Sequence, residues 1–378
     1  MSMMKNARSS SSSSKPFRKC VLHIGTEKTG TTAIQHYLKN NRERLRRSGV
    51  YYPMAQDTDQ TSQWEFVALC HHAPWLQDIG KELGVADAEG QQLFSNNLKQ
   101  KLDREFTRHS DQDTLVISSE HLQSRLYFRE EIERLKVFLE PWVERFEILV
   151  YFRRQDQLAL SLLSTRLKSS ARLEIDDIIS TLNSTPKYYA YDEIFERWSD
   201  VFGIEAMRPK IYDRHQWPSQ DLMADFSAAI GAPKLEVENT RYNRSLNRKG
   251  FHFIQALNSV YPNDIGDRSD TSRTALVSEV GRLFPGNFYP ISREQAQEFF
   301  KQFKETNNRL KETAFPARQT PLFSDDFSEY PEEAEEISPD YRDAVLVAVE
   351  LWKAKRKKAI PPLRRWWNLL FSRGSLNP

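Results

Sequence analysis

The segment HIGTEKTGTTA, residues 23–33, determines how the start of this chain folds. It follows the apolar residues CVL at 20–22 and leads into IQHYL at 34–38, so the pattern predicts a strand, a glycine-bounded turn and a helix. Such a turn directs several backbone N–H groups and the positive end of the helix dipole at one point, which favours an anion. Lys28 adds a cation and the adjacent threonines add hydroxyl donors. The segment therefore predicts a site for a phosphate or sulfuryl group.

Two glycines give this loop the spacing of a nucleotide triphosphatase loop, but its lysine lies elsewhere. Gly25 and Gly30 match the two glycines of GxxxxGK[ST], whereas Thr31 stands where that motif has its lysine. The lysine of this chain, Lys28, comes before the second glycine. The pattern therefore argues against an ATP or GTP site of that type. Two interpretations of the segment remain: a phosphate or sulfuryl site, or a strand-to-helix turn that binds nothing.

The composition indicates a globular protein of the cytoplasm. A chain of 378 residues can bury a large core. Its two cysteines, Cys20 and Cys70, are too few for a disulfide framework, and neither belongs to a metal-ligand motif. The first residues show no apolar signal segment, and no stretch of the sequence is long and apolar enough to span a membrane. These features predict a soluble protein in a reducing compartment.

The net charge of +2 hides basic ends on an acidic centre. Residues 1–19 contain five basic side chains and no acidic ones, and residues 351–378 contain eight and none. Removing these thirteen from the 54 basic residues leaves 41 against 52 acidic ones, so residues 20–350 carry a net charge of −11. That distribution argues against a protein that binds nucleic acid through a generally basic surface. The serine run at 9–14 predicts a disordered tail.

Apolar β-branched runs alternate with helical patterns along the first two thirds of the chain. Strands are predicted at 114–118, at 146–152 and near 204–212. Helices are predicted between them, one of them over 129–144, and a further helix is predicted before Gly231. Such alternation predicts an α/β fold whose mainly parallel central sheet is covered by helices on both faces. Later residues carry helical patterns around 250–260, 273–284, 293–312 and 339–358. We therefore expect four segments: a disordered basic tail at 1–19, an α/β core at 20–235, a helical extension packed on the core at 236–340, and a basic helix with an amphipathic tail at 341–378.

Polar residues follow two further predicted strands, at the edge of a parallel sheet where sites form. Glu120 and His121 come after the strand at 114–118, and Arg153 comes after the strand at 146–152, with Ser161 eight residues further on in the next helix. An arginine and a hydroxyl in this arrangement suit a second phosphate. The structural alternatives are that Glu120 is a capping or ion-paired acid and that Arg153 is an ordinary sheet-edge arginine.

Taken together, these motifs resemble those of the sulfotransferases that use 3′-phosphoadenosine 5′-phosphosulfate. HIGTEKTGTT is similar to that family's 5′-phosphosulfate loop, in the KTGTT form of many bacterial and carbohydrate sulfotransferases. VYFRRQDQLALSLL, residues 150–163, is similar to its 3′-phosphate segment, and LVISSEHL, residues 115–122, to the strand that carries the acceptor-activating residue. FKETNNRL, residues 303–310, resembles a C-terminal part of bacterial members. The resemblance implies a three-layer fold like that of phosphate-loop proteins.

The resemblance also implies a role for each matching residue. Lys28 would stabilise the charge that develops on the oxygen between phosphorus and sulfur, and Glu120 would accept the proton of an acceptor hydroxyl. His121 remains a rival for the role of base. Arg153 and Ser161 would bind the 3′-phosphate, whereas Arg154 would miss the spacing by one residue. The donor would be 3′-phosphoadenosine 5′-phosphosulfate without a metal, and its 5′-phosphosulfate would be bound by Gly25, Lys28, Thr29, Gly30, Thr31 and Thr32.

The predicted reaction is transfer of a sulfuryl group to a hydroxyl acceptor, such as a carbohydrate or a lipid-linked glycan. One alternative is a kinase or nucleotide triphosphatase on a related phosphate-loop fold. The position of Lys28 argues against it, as does the lack of a clear Mg²⁺-binding acid after a strand. A second alternative is a non-catalytic nucleotide-binding scaffold with a membrane-binding tail. A protein that only binds a nucleotide needs no general base, so Glu120 argues against this alternative. The sequence of the acceptor-binding segments does not identify the acceptor.

The last part of the sequence, residues 353–373, is both basic and amphipathic. A run of lysines and arginines at 353–358 precedes Pro361 and Pro362, and apolar residues then recur at helical spacing: Leu363, Trp366, Trp367, Leu370 and Phe371. A basic, tryptophan-rich amphipathic segment is typical of contact with an anionic membrane surface. We therefore expect peripheral contact with the inner face of a membrane, or alternatively a terminal helix that docks on the acidic core.

Overall fold

The computed structural model describes residues 15–53, 61–169, 186–236, 245–260, 271–334 and 341–359. The serine run and the last part of the predicted amphipathic tail lie outside these residues. The chain divides into two compact units. The first comprises Met1–Gln155, Pro186–Tyr242 and Phe300–Asp325, and the second comprises Asp156–Thr185, Asn243–Phe299 and Asp326–Pro378. The segment boundaries expected from the sequence stay predictions.

The first unit contains a five-stranded sheet in which every neighbouring pair is parallel. Its strand order is β2-β3-β1-β4-β5, so β1 is central and its neighbours are β3 and β4. This sheet confirms the predicted α/β class with a parallel central sheet. The strands are β1 (Phe17–Gly25), β2 (Val50–Tyr51), β3 (Thr114–Ser118), β4 (Val143–Phe152) and β5 (Met207–Ile211).

Helices connect these strands, as parallel pairing requires. The helix predicted over 129–144 ends at Leu139, because Pro141 supplies no N–H to continue it, and β4 then begins at Val143. The helices up to residue 236 are α1 (Thr31–Asn40), α2 (Arg42–Arg47), α3 (Glu65–Cys70), α4 (Asp78–Glu82), α5 (Ala88–Arg108), α6 (His121–Arg125), α7 (Arg129–Leu139), α8 (Gln155–Lys168), α9 (Pro186–Tyr189), α10 (Tyr191–Phe202) and α11 (Leu222–Ile230).

Helices cover both faces of the sheet. On one face, Val21 and Tyr151 pack in a cluster with side chains of α1, α2 and α11, including Ile34 and Phe226. On the other face, alternate residues of β4 contact α10, where the rings of Phe146 and Phe202 lie 5.0 Å apart. Burial on both faces explains why β3 and the second half of β4 are nearly continuous apolar runs.

Helix α11 shows how local sequence sets the limits of an element. The Asp221 side chain accepts hydrogen bonds from the Met223 and Ala224 N–H groups, at 2.8 and 3.3 Å, and so caps the first turn. The helix ends at Gly231, whose φ of 77° closes it in the left-handed region. The sequence predicted a helix before this glycine, and the structure confirms it.

The second unit is helical in its described residues, apart from an isolated antiparallel bridge between Leu246 and Pro285. Lys249 pairs with Asp343 at 3.3 Å, and the Asn258 amide donates to the Leu167 carbonyl at 2.8 Å. The helix predicted over 293–312 is interrupted at residues 302–303, and the part after the break belongs to the first unit. The later helices are α12 (Arg248–Val260), α13 (Thr271–Leu283), α14 (Arg293–Lys301), α15 (Lys304–Ala314) and α16 (Tyr341–Ala359).

Among the described helices, none combines the length and the hydropathy that crossing a bilayer demands.

Candidate active site

The loop between β1 and α1 is fixed to the neighbouring strand β4. The Thr26 N–H and hydroxyl both donate to the Tyr151 carbonyl, at 3.1 and 3.0 Å. Within the loop, the Thr29 hydroxyl donates to the Thr26 carbonyl at 2.6 Å. Because the buried Thr29 hydroxyl is used inside the loop, only its backbone is left to contact an anion. Thr31 is buried and Thr32 half-buried at the start of α1.

The loop has a left-handed backbone at two positions before α1. Lys28 has a φ of 63° and Gly30 a φ of 76°. A lysine is uncommon in this region, and such conformations concentrate at functional sites. A Cβ at Gly30 would lie 2.5 Å from the Leu222 Cδ2, and one at Gly25 would lie 3.2 Å from the Glu120 Cα. The glycines therefore allow the loop to pack closely against α11 and against the segment after β3.

Helix α1 begins directly after this loop, at Thr31. The first N–H groups of a helix lack acceptors within the helix, and its dipole places positive charge there. No acidic residue occurs in the first turn of α1. The loop and the helix start therefore form a setting that favours an anion.

Lys28 lies half-buried among three charged side chains. Burial lowers the pKa of its ammonium group. The negative charges of Glu27 and Glu120 raise that pKa, and the positive charge of Arg153 lowers it. In the structure, Glu120 and Arg153 each lie close enough to Lys28 for their charges to act on its ammonium group. That the three residues form one site stays a prediction. Glu27 is an addition to that set.

Arg153 contacts the loop directly. Its Nη1 donates to the Lys28 carbonyl at 3.0 Å, and its guanidinium lies over the Tyr212 ring, 5.4 Å from the ring centre. Its Nε is buried and has no hydrogen-bond partner among the described residues. A buried donor of this kind is costly unless a ligand or water accepts from it. The guanidinium is therefore positioned, through the Lys28 carbonyl and Tyr212, next to the loop.

Ser161, the predicted partner of Arg153, lies half-buried on α8. From Asp156 onward this helix belongs to the second unit, whereas Arg153 belongs to the first. The pairing of the two side chains at one phosphate stays a prediction.

Glu120 follows β3 and comes directly before α6, and its carboxylate is oriented by two donors. Its Oε2 accepts from the Gln35 amide at 2.6 Å and from the Ser62 hydroxyl at 3.4 Å. The Ser62 hydroxyl also lies 2.9 Å from the Ser119 hydroxyl. Gln35 is on α1, so the helix that follows the anion loop also orients the carboxylate. Sequence reasoning missed Gln35 and Ser62, because neither belongs to a motif.

Glu27 lies near two further polar side chains, those of His121 and Tyr188. Its Oε1 lies 3.9 Å from the His121 Nδ1, which is buried and has no hydrogen-bond partner among the described residues. The His121 ring packs edge-on against Trp64, with 4.9 Å between ring centres. Burial raises the pKa of the Tyr188 hydroxyl, and the charge of Glu27 and a hydrogen bond to it raise that pKa further. The sequence placed His121 near the site, but nothing in it indicated Tyr188.

His71, His72 and Glu131 form a separate cluster whose ligand atoms lie within 4.8 Å of one another. Glu131 accepts from the His72 N–H at 2.9 Å, lies 2.7 Å from the His72 Nδ1, and accepts from the Phe128 N–H at 3.1 Å. The His71 Nδ1 accepts from the Ala73 N–H at 3.0 Å. A neutral His71 then carries its proton on Nε2, which leaves that ring no free lone pair for a metal. These contacts give the cluster a structural role at the start of α7.

No family model matches this chain. An uncharacterized protein of Archaeoglobus fulgidus is 24% identical over 224 residues, which are 58% of this chain and 58% of the relative, less than two thirds of either. A solved sulfotransferase from Alicyclobacillus acidocaldarius is 15% identical with a TM-score of 0.35, over 68% of this chain and 95% of its own. The sulfotransferase domain of the Synechococcus PCC 7002 olefin synthase is 12% identical with a TM-score of 0.30, over 75% and 93%. Both TM-scores and both identities are low, so the proposal of a function rests on the residues of the site.

Proposed function

We propose that this chain is a sulfotransferase that moves a sulfuryl group from 3′-phosphoadenosine 5′-phosphosulfate to a hydroxyl acceptor. The observation that carries the proposal is the meeting of Lys28, Arg153 and Glu120 around one glycine-bounded loop. These three residues follow three adjacent strands, β1, β4 and β3, whose carboxyl ends lie at one edge of the sheet. Two cations and an oriented carboxylate suit an anionic donor and an acceptor that must lose a proton.

The residues around the loop suit the phosphosulfate end of such a donor. The loop backbone and the start of α1 favour negative charge, and the buried Nε of Arg153 offers a donor that an anionic oxygen would satisfy. The donor supplies a sulfuryl group that is already activated by its bond to phosphate. In this proposal Gly25 to Thr32 hold the phosphosulfate, and Arg153 acts with Ser161 on the 3′-phosphate.

Lys28 and Glu120 divide the chemistry between them. As the acceptor oxygen bonds to sulfur and the bond from sulfur to the bridging oxygen breaks, the electron pair stays on that oxygen. The Lys28 ammonium stabilises the new charge there. Glu120 takes the proton of the acceptor hydroxyl, and adenosine 3′,5′-bisphosphate and the sulfated acceptor are released. Gln35 and Ser62 orient the carboxylate in this role.

His121 is a rival for the base, because a carboxylate close to a histidine can orient and stabilise its protonated form. The Nδ1 of His121 lies 3.9 Å from Glu27, which is beyond hydrogen-bond distance. The Glu120 carboxylate already makes a hydrogen bond of 2.6 Å to Gln35. We therefore assign the proton transfer to Glu120.

Ligand-dependent thermal unfolding tests the proposal against a kinase or nucleotide triphosphatase. Adenosine 3′,5′-bisphosphate should raise the melting temperature, since a ligand at 100 times its dissociation constant adds about 2.7 kcal/mol to the free energy of unfolding. The Lys28→Ala variant should lose part of that shift, whereas Lys99→Ala, on the exposed side of α5, should keep it. Stabilisation by ATP with Mg²⁺ but not by the bisphosphate would overturn the proposal.

A further inference from the structure

One face of α16, in the second unit, exposes large apolar side chains along three turns of the helix. We call this set the outer face: Tyr341, Val345, Leu346, Val349 and Trp352, which are between 38% and 82% exposed. The first and last of them are eleven residues apart, so the outer face is about 16 Å long at 1.5 Å per residue. The other large apolar residues that are exposed in the described part of the chain are distributed over several elements. A contiguous apolar patch, unlike single exposed residues, indicates an interaction surface.

The opposite face of α16 is already used for packing. Val347 is fully buried, and Asp343 pairs with Lys249 of α12 at 3.3 Å. These two residues are four apart and so lie on the same side of the helix. Contacts with α12 and α13 therefore orient α16 within its unit and leave the outer face exposed.

Basic residues accompany the outer face and follow it along the chain. Arg342 and Lys353 are exposed on the same side of α16, where Lys353 pairs with Glu350 at 2.7 Å. From residue 351 to the end the sequence contains eight basic side chains and no acidic ones, and it also contains Trp366, Trp367 and Phe371. Apolar surface that adjoins a basic, tryptophan-containing segment suits the interface of an anionic bilayer.

We propose that the outer face of α16 docks on an anionic membrane surface, with Arg342 and Lys353 next to the lipid headgroups and the basic sequence that follows adding electrostatic attraction. The distribution of charge favours an anionic membrane over the chain's own terminal segment or a second copy of the chain. If the chain's own terminal segment, or the outer face of a second copy, covered the outer face, basic residues would lie next to basic residues. An anionic bilayer neutralises them and buries the apolar side chains at the same time. This proposal is independent of the sulfotransferase activity.

Co-sedimentation of the full chain with lipid vesicles tests the proposal. Vesicles of phosphatidylcholine with phosphatidylserine should retain the protein, and vesicles of phosphatidylcholine alone should bind it about tenfold more weakly at low salt. The triple variant Val345→Ser, Val349→Ser, Trp352→Ser should lose about tenfold in affinity for the anionic vesicles, since it removes much of the apolar surface. Lys353→Gln should weaken binding about fivefold, because it removes one positive charge beside the outer face.

The matched control is Leu93→Ser with Val137→Ser, which removes exposed apolar surface from α5 and α7 instead. It should bind anionic vesicles as the unchanged protein does. Circular dichroism of each variant establishes that the helices are retained. Equal binding by the triple variant and the control would overturn the proposal. So would equal retention on both kinds of vesicle, or a dimer in sedimentation equilibrium that the triple variant converts to monomer.

Discussion

The carboxyl edge of the sheet and the outer face of α16 depart from the usual distribution of residues in opposite directions. At the sheet edge, charged side chains such as Lys28 and Arg153 are half-buried. On α16, large apolar side chains such as Tyr341 and Trp352 are exposed. Each arrangement costs folding stability, because charges lose solvation when buried and apolar surface gains nothing when exposed. We infer that each region is shaped for a partner outside the chain: a small anion at the sheet edge and a membrane surface at α16.

The sheet edge and the outer face of α16 also differ in how many contacts fix their positions. The loop after β1 is fixed to β4 by two hydrogen bonds from Thr26 and contacts Arg153 through the Lys28 carbonyl. The outer face of α16 depends on one helix packed on two others. Chemistry needs reacting groups fixed within fractions of an ångström, whereas adsorption to a bilayer does not. The rigidity of each region therefore matches its proposed role.

The largest effect is expected from removing the cation of the loop. Lys28→Ala should lower turnover about 1,000-fold, since a fixed donor at a developing negative charge contributes about that much. The measurement is release of adenosine 3′,5′-bisphosphate from the donor under saturating conditions. Lys99→Ala serves as the control for loss of a lysine. Turnover in Lys28→Ala within a few-fold of that of the unchanged protein would show that the buried cation serves structure only.

Removing the charge of the proposed base should have the next largest effect. Glu120→Gln should reduce turnover about 100-fold, because general base catalysis contributes at least that much, and should leave donor affinity nearly unchanged. Turnover and bisphosphate binding are measured on the same preparation. If His121→Ala lost turnover and Glu120→Gln kept it, the histidine beside Glu27 would be the base.

Glu65 is a buried carboxyl outside the proposed site, and it tests how much a buried charge lowers the free energy of unfolding. Burial raises the pKa of this carboxyl to about 7. The folded protein therefore keeps a proton that the unfolded chain loses, so the free energy of unfolding falls as pH rises from about 4.5 to about 7. Glu65→Gln should remove that loss and stabilise the protein at pH 8 by about 2 kcal/mol. This is less than the ~3 kcal/mol of the full pKa shift, because the buried amide also needs hydrogen-bond partners.

Urea unfolding of the two proteins at pH 5 and pH 8 measures this difference. The substitution should raise the free energy of unfolding more at pH 8 than at pH 5. An equal change at both values would mean that ionisation of Glu65 does not contribute to the pH dependence of stability.

The smallest effect is expected at Arg153. Arg153→Lys keeps the charge but loses the planar guanidinium over Tyr212 and the contact with the Lys28 carbonyl. Affinity for adenosine 3′,5′-bisphosphate should fall about tenfold, equivalent to about 1.4 kcal/mol. Titration calorimetry measures it, with Arg154→Lys as the neighbouring control. A larger loss in Arg154→Lys would shift the phosphate-binding role to that residue.

The strand, loop and helix around Gly25 and Gly30 were predictable because the spacing of glycines and apolar residues is local information. The alternation of strand and helix patterns likewise predicted the parallel sheet. The contacts of Glu120 with Gln35 and Ser62 were not predictable, because they depend on β3 lying beside β1. The break after α14 carries no glycine or proline, so no sequence signal marks it.

The exposed face of α16 shows the same division between local and distant information. The sequence indicated a basic amphipathic segment at residues 353–373. The outer face lies before most of that segment in the chain. The packing of Val347 and Asp343 against neighbouring helices decides which side of α16 is exposed. A helical pattern predicts that a helix has two faces, but only the tertiary contacts decide which one is covered.

The most direct test of the sulfotransferase assignment offers both kinds of donor in one reaction. The protein is incubated with 3′-phosphoadenosine 5′-phosphosulfate, ATP, Mg²⁺ and a mixture of saccharides and aryl alcohols, and the nucleotides are separated by chromatography. We expect adenosine 3′,5′-bisphosphate to form faster than in buffer alone, its formation to depend on the hydroxyl compounds, and Lys28→Ala to abolish it. Formation of ADP from ATP, with the phosphosulfate donor consumed no faster than in buffer, would contradict it.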